Sequence, residues 1–121
     1  MKRNYRLYIK DILDCIEKIE KFTAGMSYED FVENDLVSSA VIRKLEIIGE
    51  ASKKVPDFIR NQYKDIPWSE MARMRDKLIH FYFGVDYEIV WKVVKEELPE
   101  LKPKMEKVLM DLEREYQDEM E

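Results

Sequence analysis

Apolar residues recur every three or four positions along most of this 121-residue chain, which is the spacing of amphipathic α-helices. A first helix is predicted from about residue 3 to 22, with Gly25 just beyond it as a C-terminal cap. Ser27 is placed to cap a short turn or helix that follows. The chain therefore begins with a long helix and a short helical connection.

A second long helix is predicted up to about Lys54, with Asn34 or Asp35 as its N-cap. Gly49 lies in the middle of this helix, where glycine costs up to about 1 kcal/mol relative to alanine. We expect another helix to approach closely at that position.

The second half of the chain continues the helical spacing between prolines and a glycine. Ile66-Pro67-Trp68 introduces a third helix from about residue 68 to 82, with Ser69 as a possible N-cap or Pro67 in its first turn. Gly84 ends it, and Asp86 starts another helix over about 86–97. Pro99 is expected to separate that helix from a last one over about 100–118.

Composition supports an all-α fold. Three glycines and four prolines are too few for the turns of a β-sandwich or barrel, while 45% hydrophobic and 39% charged residues suit long helices with charged outer faces. The length fits one domain over residues 1–121. The predicted architecture is an up-and-down bundle of about five helices.

Net charge and residue counts exclude several kinds of protein. A net charge of −5 argues against a protein that coats nucleic acid without specificity. One cysteine, Cys15, allows no disulfide within the chain, and one histidine leaves too few ligands for a structural zinc site. The longest apolar runs have four or five residues, too few for a membrane span, and no signal sequence is evident, so we expect a cytoplasmic protein.

Charge is unevenly distributed along the chain. Residues 43–77 hold nine bases and six acids, whereas residues 95–121 hold five bases and ten acids. A site for an anion is therefore expected near residues 73–80.

The same segment carries the candidate chemistry. It contains His80, the only histidine, and histidine is suited to proton transfer near neutral pH. On a continuous helix Asp76 would share a face with His80 and could orient its imidazole. Arg75 would lie 140° away, and could reach His80 through its own length, through a helix end near His80, or from a second subunit. A lone histidine of this kind is, however, more often an ordinary surface or core residue.

Arg75, His80 and Tyr82 form the pattern R-x4-H-x-Y. With its flanking segments, this pattern resembles the HepT-like toxins of the HEPN superfamily (higher-eukaryote and prokaryote nucleotide-binding domains). The resemblance covers roughly residues 5–112. The flanking segments are Ile48-Gly49-Glu50-Ala51, Ile66-Pro67-Trp68, Phe83-Gly84-Val85-Asp86 and Trp91.

The resemblance implies a homodimeric helical bundle that acts as a metal-independent endoribonuclease, with the motifs of two subunits meeting in a composite site. It also implies a minimal nucleotidyltransferase antitoxin as partner, which transfers AMP from ATP onto the motif tyrosine, here Tyr82. ATP is then used by the antitoxin, and this chain needs neither a cofactor nor a metal.

Metal-free RNA cleavage uses the neighbouring 2′-hydroxyl as nucleophile, and the residue types present suit that chemistry. We expect His80 to act as general acid or base and Arg75 to bind the scissile phosphate. Asp76 is the orienting residue and Tyr82 contacts substrate, while Arg73 and Lys77 are candidates for further phosphate contacts. The alternative is a non-catalytic helical module that binds a nucleotide or a protein.

Overall fold

The computed structural model describes residues 4–80 and 84–120, and describes His80 through its backbone alone. The elements are, in chain order, α1 (Tyr5–Thr23), α2 (Tyr28–Glu33), α3 (Asp35–Lys54), α4 (Asp57–Gln62), α5 (Trp68–Ala72), α6 (Met74–Leu78), β1 (Ile79–His80), β2 (Gly84–Val85), α7 (Tyr87–Lys92), a π-helical turn (Val93–Glu97) and α8 (Leu98–Met120). The predicted all-α fold is confirmed, with one two-stranded pair added to it.

Side chains at the predicted positions cap the first helices. Ser27 accepts a hydrogen bond from the backbone N–H of Asp30, whose carboxylate accepts one from the Ser27 N–H in return. The Asn34 side chain caps α3 through the N–H of Val37. Gly25 follows α1 with a φ of +74°, a left-handed conformation that glycine adopts at low cost.

The core forms where the apolar stripe of α1 packs between α3 and α8. Four isoleucines of α1 are fully buried: Ile9, Ile12, Ile16 and Ile19. The Arg6 guanidinium lies 3.6 Å from the centre of the Tyr116 ring, and Lys102 pairs with Glu20 at 3.1 Å. The start of α1 therefore meets the end of α8, so that these two helices run antiparallel.

α3 also runs antiparallel to α1. The ring of Tyr5, at the start of α1, lies 5.5 Å edge-on from that of Phe58, which follows the end of α3. α1 thus runs antiparallel to both of its long neighbours, so that direction alternates in the spatial order α3–α1–α8, as in an up-and-down bundle. No helix of the described residues is both long and apolar enough to cross a membrane.

The prediction of a single helix over residues 68–82 is wrong. Pro67 takes the N-cap position of α5, so Ser69 lies inside that helix, and the chain breaks again at Arg73 before α6. After Leu78 the backbone becomes extended, and β1 pairs with β2 in the register Ile79↔Val85 and His80↔Gly84.

Two features of this segment end α6 early. The N–H of Asp86 donates to the carbonyl of Leu78 at 2.8 Å, which directs the chain into the strand pair. Gly84 has a φ of +75°, which suits the turn into β2. The hydrophobic pattern of this segment does not distinguish a helix that continues to residue 82 from one that ends at Leu78. The difference depends on the pairing of β1 with β2, whose residues lie further along the chain.

The expected break at Pro99 is also wrong. The backbone stays helical from Tyr87 to Met120, through the π-helical turn at Val93–Glu97. The N–H of Leu98 donates to the carbonyl of Val93, five residues back. Pro99 closely follows this π-helical turn, whose i→i+5 hydrogen bonding accommodates a residue that lacks an N–H.

Candidate functional site

A cleft of about 430 Å³ lies between α3 and the α5–α6 segment. The charged side chains that line it come from about three turns of α3 on one side and from the start of α6, with the residue before it, on the other. The lining residues are Arg43, Glu46, Gly49, Glu50, Lys53, Ala72, Arg73, Arg75 and Asp76. Four bases and three acids therefore face one another across this cleft.

Gly49 sets the width of the cleft. A Cβ at this position would lie 3.0 Å from the carbonyl oxygen of Met71 and 3.3 Å from the Cβ of Met74. The backbone of α5 therefore lies so close to α3 that a Cβ at residue 49 would make contacts tighter than most in proteins. The close helix approach expected at Gly49 is confirmed.

Three of the predicted site residues meet in the cleft. Arg73 occupies the junction between α5 and α6, while Arg75 and Asp76 lie in α6, and all three are exposed. Across the part of the chain that the structure describes, no hydrogen bond or ion pair engages the side chains of Arg73 and Arg75. Their guanidinium groups are thus available to an anionic ligand, while their roles stay predictions.

The end of α6 changes the predicted relation between Asp76 and His80. The two residues share no helix face, because α6 ends at Leu78 and His80 lies in β1. One of the three ways by which Arg75 could reach His80, a helix end close to the histidine, is therefore present. The side chain of His80 and the whole of Tyr82 lie outside the described residues.

Lys77 lies apart from the cleft. Its ammonium group pairs with the carboxylate of Glu97, in the π-helical turn, at 2.8 Å. It lines a separate small cavity whose other walls include Met71, Met74 and Leu98. The structure therefore does not bring Lys77 together with Arg73 and Arg75.

A wider groove of about 840 Å³ separates α1 from α8. Its walls include Arg6, Lys10, Glu106 and Glu113, and Lys10 pairs with Glu113 at 3.3 Å. Of the predicted site residues whose side chains the structure describes, none lines this groove. We therefore place the candidate site in the smaller cleft, where the motif arginine lies.

Shifted pKa values occur away from the cleft. Burial raises the pKa of Tyr63, and its hydroxyl donates to Asp111 at 2.7 Å. The hydrogen bonds from Tyr63 and Lys107 lower the pKa of Asp111. Burial raises the pKa of the Cys15 thiol, as expected for an unreactive core cysteine.

Sequence reasoning missed Arg43 and Lys53 as lining residues of the cleft. Together with Glu46 and Glu50 they follow one another at intervals of three, four and three residues, which places all four on one helix face. That face also contains Gly49, so a search for charged residues around the expected close approach would have found them. Among the described residues, no group of three or more His, Cys, Asp or Glu side chains could hold a metal ion.

Comparison with known proteins gives one family. A family model described as "Ribonuclease HepT-like" matches residues 12–108. A protein of Thermococcus cleftensis named "Probable ribonuclease HepT" is 55% identical over 108 residues, which cover 89% of this chain and 98% of the relative. A protein of Methanocaldococcus jannaschii named "Putative RNase MJ0125" is 52% identical over 112 residues, covering 93% and 97% of the two chains. No solved structure matches this chain.

Proposed function

Since this chain belongs to the family of HepT-like ribonucleases, we propose that it is a metal-independent endoribonuclease that cleaves RNA at the cleft containing Arg75. The observation that carries this proposal is the position of the motif arginine. Arg75 and Arg73 line an open cleft, and no partner among the described residues engages their guanidinium groups. Two available guanidinium groups in one cleft suit a phosphate ligand.

The proposed chemistry assigns roles to His80, Arg75 and Asp76. The 2′-hydroxyl of the RNA attacks the adjacent phosphorus, and the 5′-oxygen of the next nucleotide leaves. His80 takes the proton from the 2′-hydroxyl or gives one to the leaving 5′-oxygen, and water exchanges the other proton; the histidine contributes about 10²–10⁴-fold to the rate. Arg75 stabilises the charge that develops on the phosphate oxygens. Asp76 also lines the cleft beside Arg75, and we assign it an orienting role there.

The assembly and regulation follow the family. We propose a homodimer in which the motifs of two subunits form one composite site, encoded with a minimal nucleotidyltransferase antitoxin. Transfer of AMP to Tyr82 adds bulk and negative charge at the motif, and both oppose the binding of an RNA phosphate. Tyr82→Phe should therefore stay active in the presence of the antitoxin and ATP.

Cleavage of total RNA in excess EDTA tests the catalytic proposal. Mass spectrometry first establishes that the purified protein carries no AMP. We expect wild-type protein to cleave, and both His80→Ala and Arg75→Ala to be slower by about 10²-fold or more. Arg114→Ala is the matched control, because Arg114 is an exposed arginine of α8 that does not line the cleft.

The outcomes distinguish the proposal from its alternative. Cleavage that EDTA abolishes would contradict metal independence, and equal cleavage by wild type and His80→Ala would contradict the role of the motif. If unmodified wild-type protein cleaves no RNA, a non-catalytic binding module becomes the better description.

A further inference from the structure

The α3 wall of the cleft places two bases at a fixed separation. Arg43 and Lys53 lie on one face of α3, ten residues apart, which corresponds to about 15 Å along a helix. Gly49, where α5 and α6 pack against α3, lies between them in the sequence. The two bases therefore lie on either side of the point where the chain carrying Arg75 crosses α3.

The side chains of both bases are accessible. Arg43 and Lys53 are exposed, and within residues 4–80 and 84–120 no hydrogen bond or ion pair engages the Arg43 guanidinium. Lys53 pairs with Glu50 at 3.2 Å, three residues away on the same helix. Exposed pairs of this kind contribute little to stability, so a phosphate can compete for the lysine.

Glu46 and Glu50 lie between the two bases and complete the pattern of this wall. Their carboxylates repel a phosphate from the middle of the α3 wall, so that phosphates are attracted to its two ends. Carboxylates also accept hydrogen bonds from the amino groups of nucleobases, which a single strand exposes. A basic side chain at each end with two acidic ones between them therefore suits a nucleic acid strand better than one isolated anion.

We propose that Arg43 and Lys53 bind two phosphates of a single-stranded RNA, one on each side of the phosphate held by Arg75. This inference rests on the proposed function, since it assigns the strand that the cleft accommodates. A separation of about 15 Å exceeds one nucleotide step, so the two bases contact different nucleotides. The enzyme should then require several nucleotides on each side of the cleaved bond.

Salt dependence of binding tests the proposal without requiring cleavage. The probe is a fluorescein-labelled 2′-O-methyl oligoribonucleotide of 12 nucleotides and mixed sequence, which lacks the attacking hydroxyl. Affinity for a single strand falls with salt with a logarithmic slope of about −0.7 for each phosphate neutralised. We expect Arg43→Ala and Lys53→Ala each to reduce the slope by about 0.7, and the double variant by about 1.4.

Matched controls separate this effect from general loss of charge. Arg114→Ala and Lys92→Ala each remove an exposed base that does not line the cleft, and we expect the wild-type slope for both. In cleavage assays, Arg43→Ala and Lys53→Ala should raise KM and leave kcat unchanged, because these side chains do not touch the reacting atoms. A dinucleotide has one phosphodiester, so these substitutions should not change how it is bound or cleaved.

The results separate this inference from the proposed function. Wild-type slopes in both α3 variants, or no binding of the probe by wild-type protein, would overturn the inference. If wild-type protein cleaves RNA while both α3 variants keep the wild-type salt dependence, the proposed function is supported and the phosphate contacts of Arg43 and Lys53 are contradicted. Reduced slopes in a protein that cleaves nothing would leave an RNA-binding cleft without the proposed catalysis.

Discussion

At the scale of single residues, Gly49 determines how closely α5 approaches the cleft. Alanine at this position would gain about 1 kcal/mol in helix propensity, but its Cβ would lie 3.0 Å from the Met71 carbonyl oxygen. A backbone atom cannot move away without shifting α5, and overpacking costs about 1–3 kcal/mol. We expect Gly49→Ala to lower the free energy of unfolding, by up to about 2 kcal/mol, in urea denaturation.

A pair of variants at Ser39 provides the control for Gly49→Ala. Ser39 is exposed on the same helix, so the difference between Ser39→Ala and Ser39→Gly measures propensity alone. If Gly49→Ala gains stability to the extent of that difference, the close approach at Gly49 does not restrict the side chain.

The hydrogen bonds of Asp111 predict a dependence of stability on pH. Its pKa in the folded protein lies below the ordinary value of 3.8, because Tyr63 and Lys107 donate to its carboxylate. The stabilisation is therefore fully present above pH 3.8 and is lost as pH falls through the folded-state pKa. We expect the unfolding free energy of Asp111→Asn to fall less steeply than that of wild type between about pH 5 and 2.5.

Two further variants check this interpretation of Asp111. Tyr63→Phe removes the main hydrogen-bond donor to Asp111. Its free energy of unfolding should therefore also fall less steeply than that of wild type as the pH is lowered. Asp118→Asn changes an exposed aspartate of the same helix, and we expect its curve to follow that of wild type. Identical curves for wild type and Asp111→Asn would contradict the predicted contribution.

Residue roles that depend on near neighbours were predictable from the sequence. The caps formed by Ser27 and Asn34 need only a hydroxyl or amide followed by a helical pattern. The hydrogen bond from Tyr63 to Asp111 joins residues 48 positions apart, so no local pattern indicates it. Arg43 and Lys53 are an intermediate case. Their spacing on α3 can be read from the sequence, but the residues opposite them in the cleft come from α6 and the junction before it, about 20–30 positions further along the chain.

At the scale of elements, the short strand pair after α6 controls the backbone of His80. β1 holds His80 opposite Gly84, whose φ of +75° is a left-handed conformation. An alanine in this conformation costs about 1–2 kcal/mol. A Cβ at Gly84 would meet no atom within 4 Å, so the cost comes from the backbone rather than from packing.

We therefore expect Gly84→Ala to lose about 1–2 kcal/mol of stability and also to lower RNA cleavage, because the strand pair that places His80 is strained. Gly25→Ala is the matched control, since Gly25 has a φ of +74° and equal space around its Cβ, at the end of α1. It should lose similar stability and keep its activity. Cleavage that falls equally in both variants, at equal folded fraction, would show that only stability matters.

The sequence predicted the helices with long apolar stripes and failed where elements are short. α1 and α3 begin and end within a residue or two of their expected bounds, because burial of a long stripe dominates local preferences. The segment from Trp68 to Val85 breaks into two short helices and two strands, where long-range pairing outweighs periodicity. The sequence predicts a helix break at Pro99 because a preceding π-helical turn has no simple sequence signature.

At the scale of the whole molecule, the cleft differs in charge from the chain as a whole. The chain carries a net charge of −5, whereas the cleft brings together four bases and three acids. The cleft is therefore more favourable to an RNA phosphate than the net charge of the chain indicates. Two clefts close together in a dimer would strengthen that attraction, which is one physical reason for a composite site.

The proposed composite site predicts complementation between two inactive variants. An Arg75→Ala subunit retains His80, and a His80→Ala subunit retains Arg75, so a heterodimer contains one of each in different subunits. If those residues act across the interface, heterodimers purified through two affinity tags should recover on the order of one tenth or more of wild-type RNA cleavage. Because α6 ends at Leu78, Arg75 and His80 of one subunit could instead act together, and the heterodimer would then stay inactive. The control pairs Arg75→Ala with the double variant Arg75→Ala/His80→Ala, which supplies no arginine. Inactive heterodimers, or a monomeric mass by light scattering, would contradict a site shared between subunits.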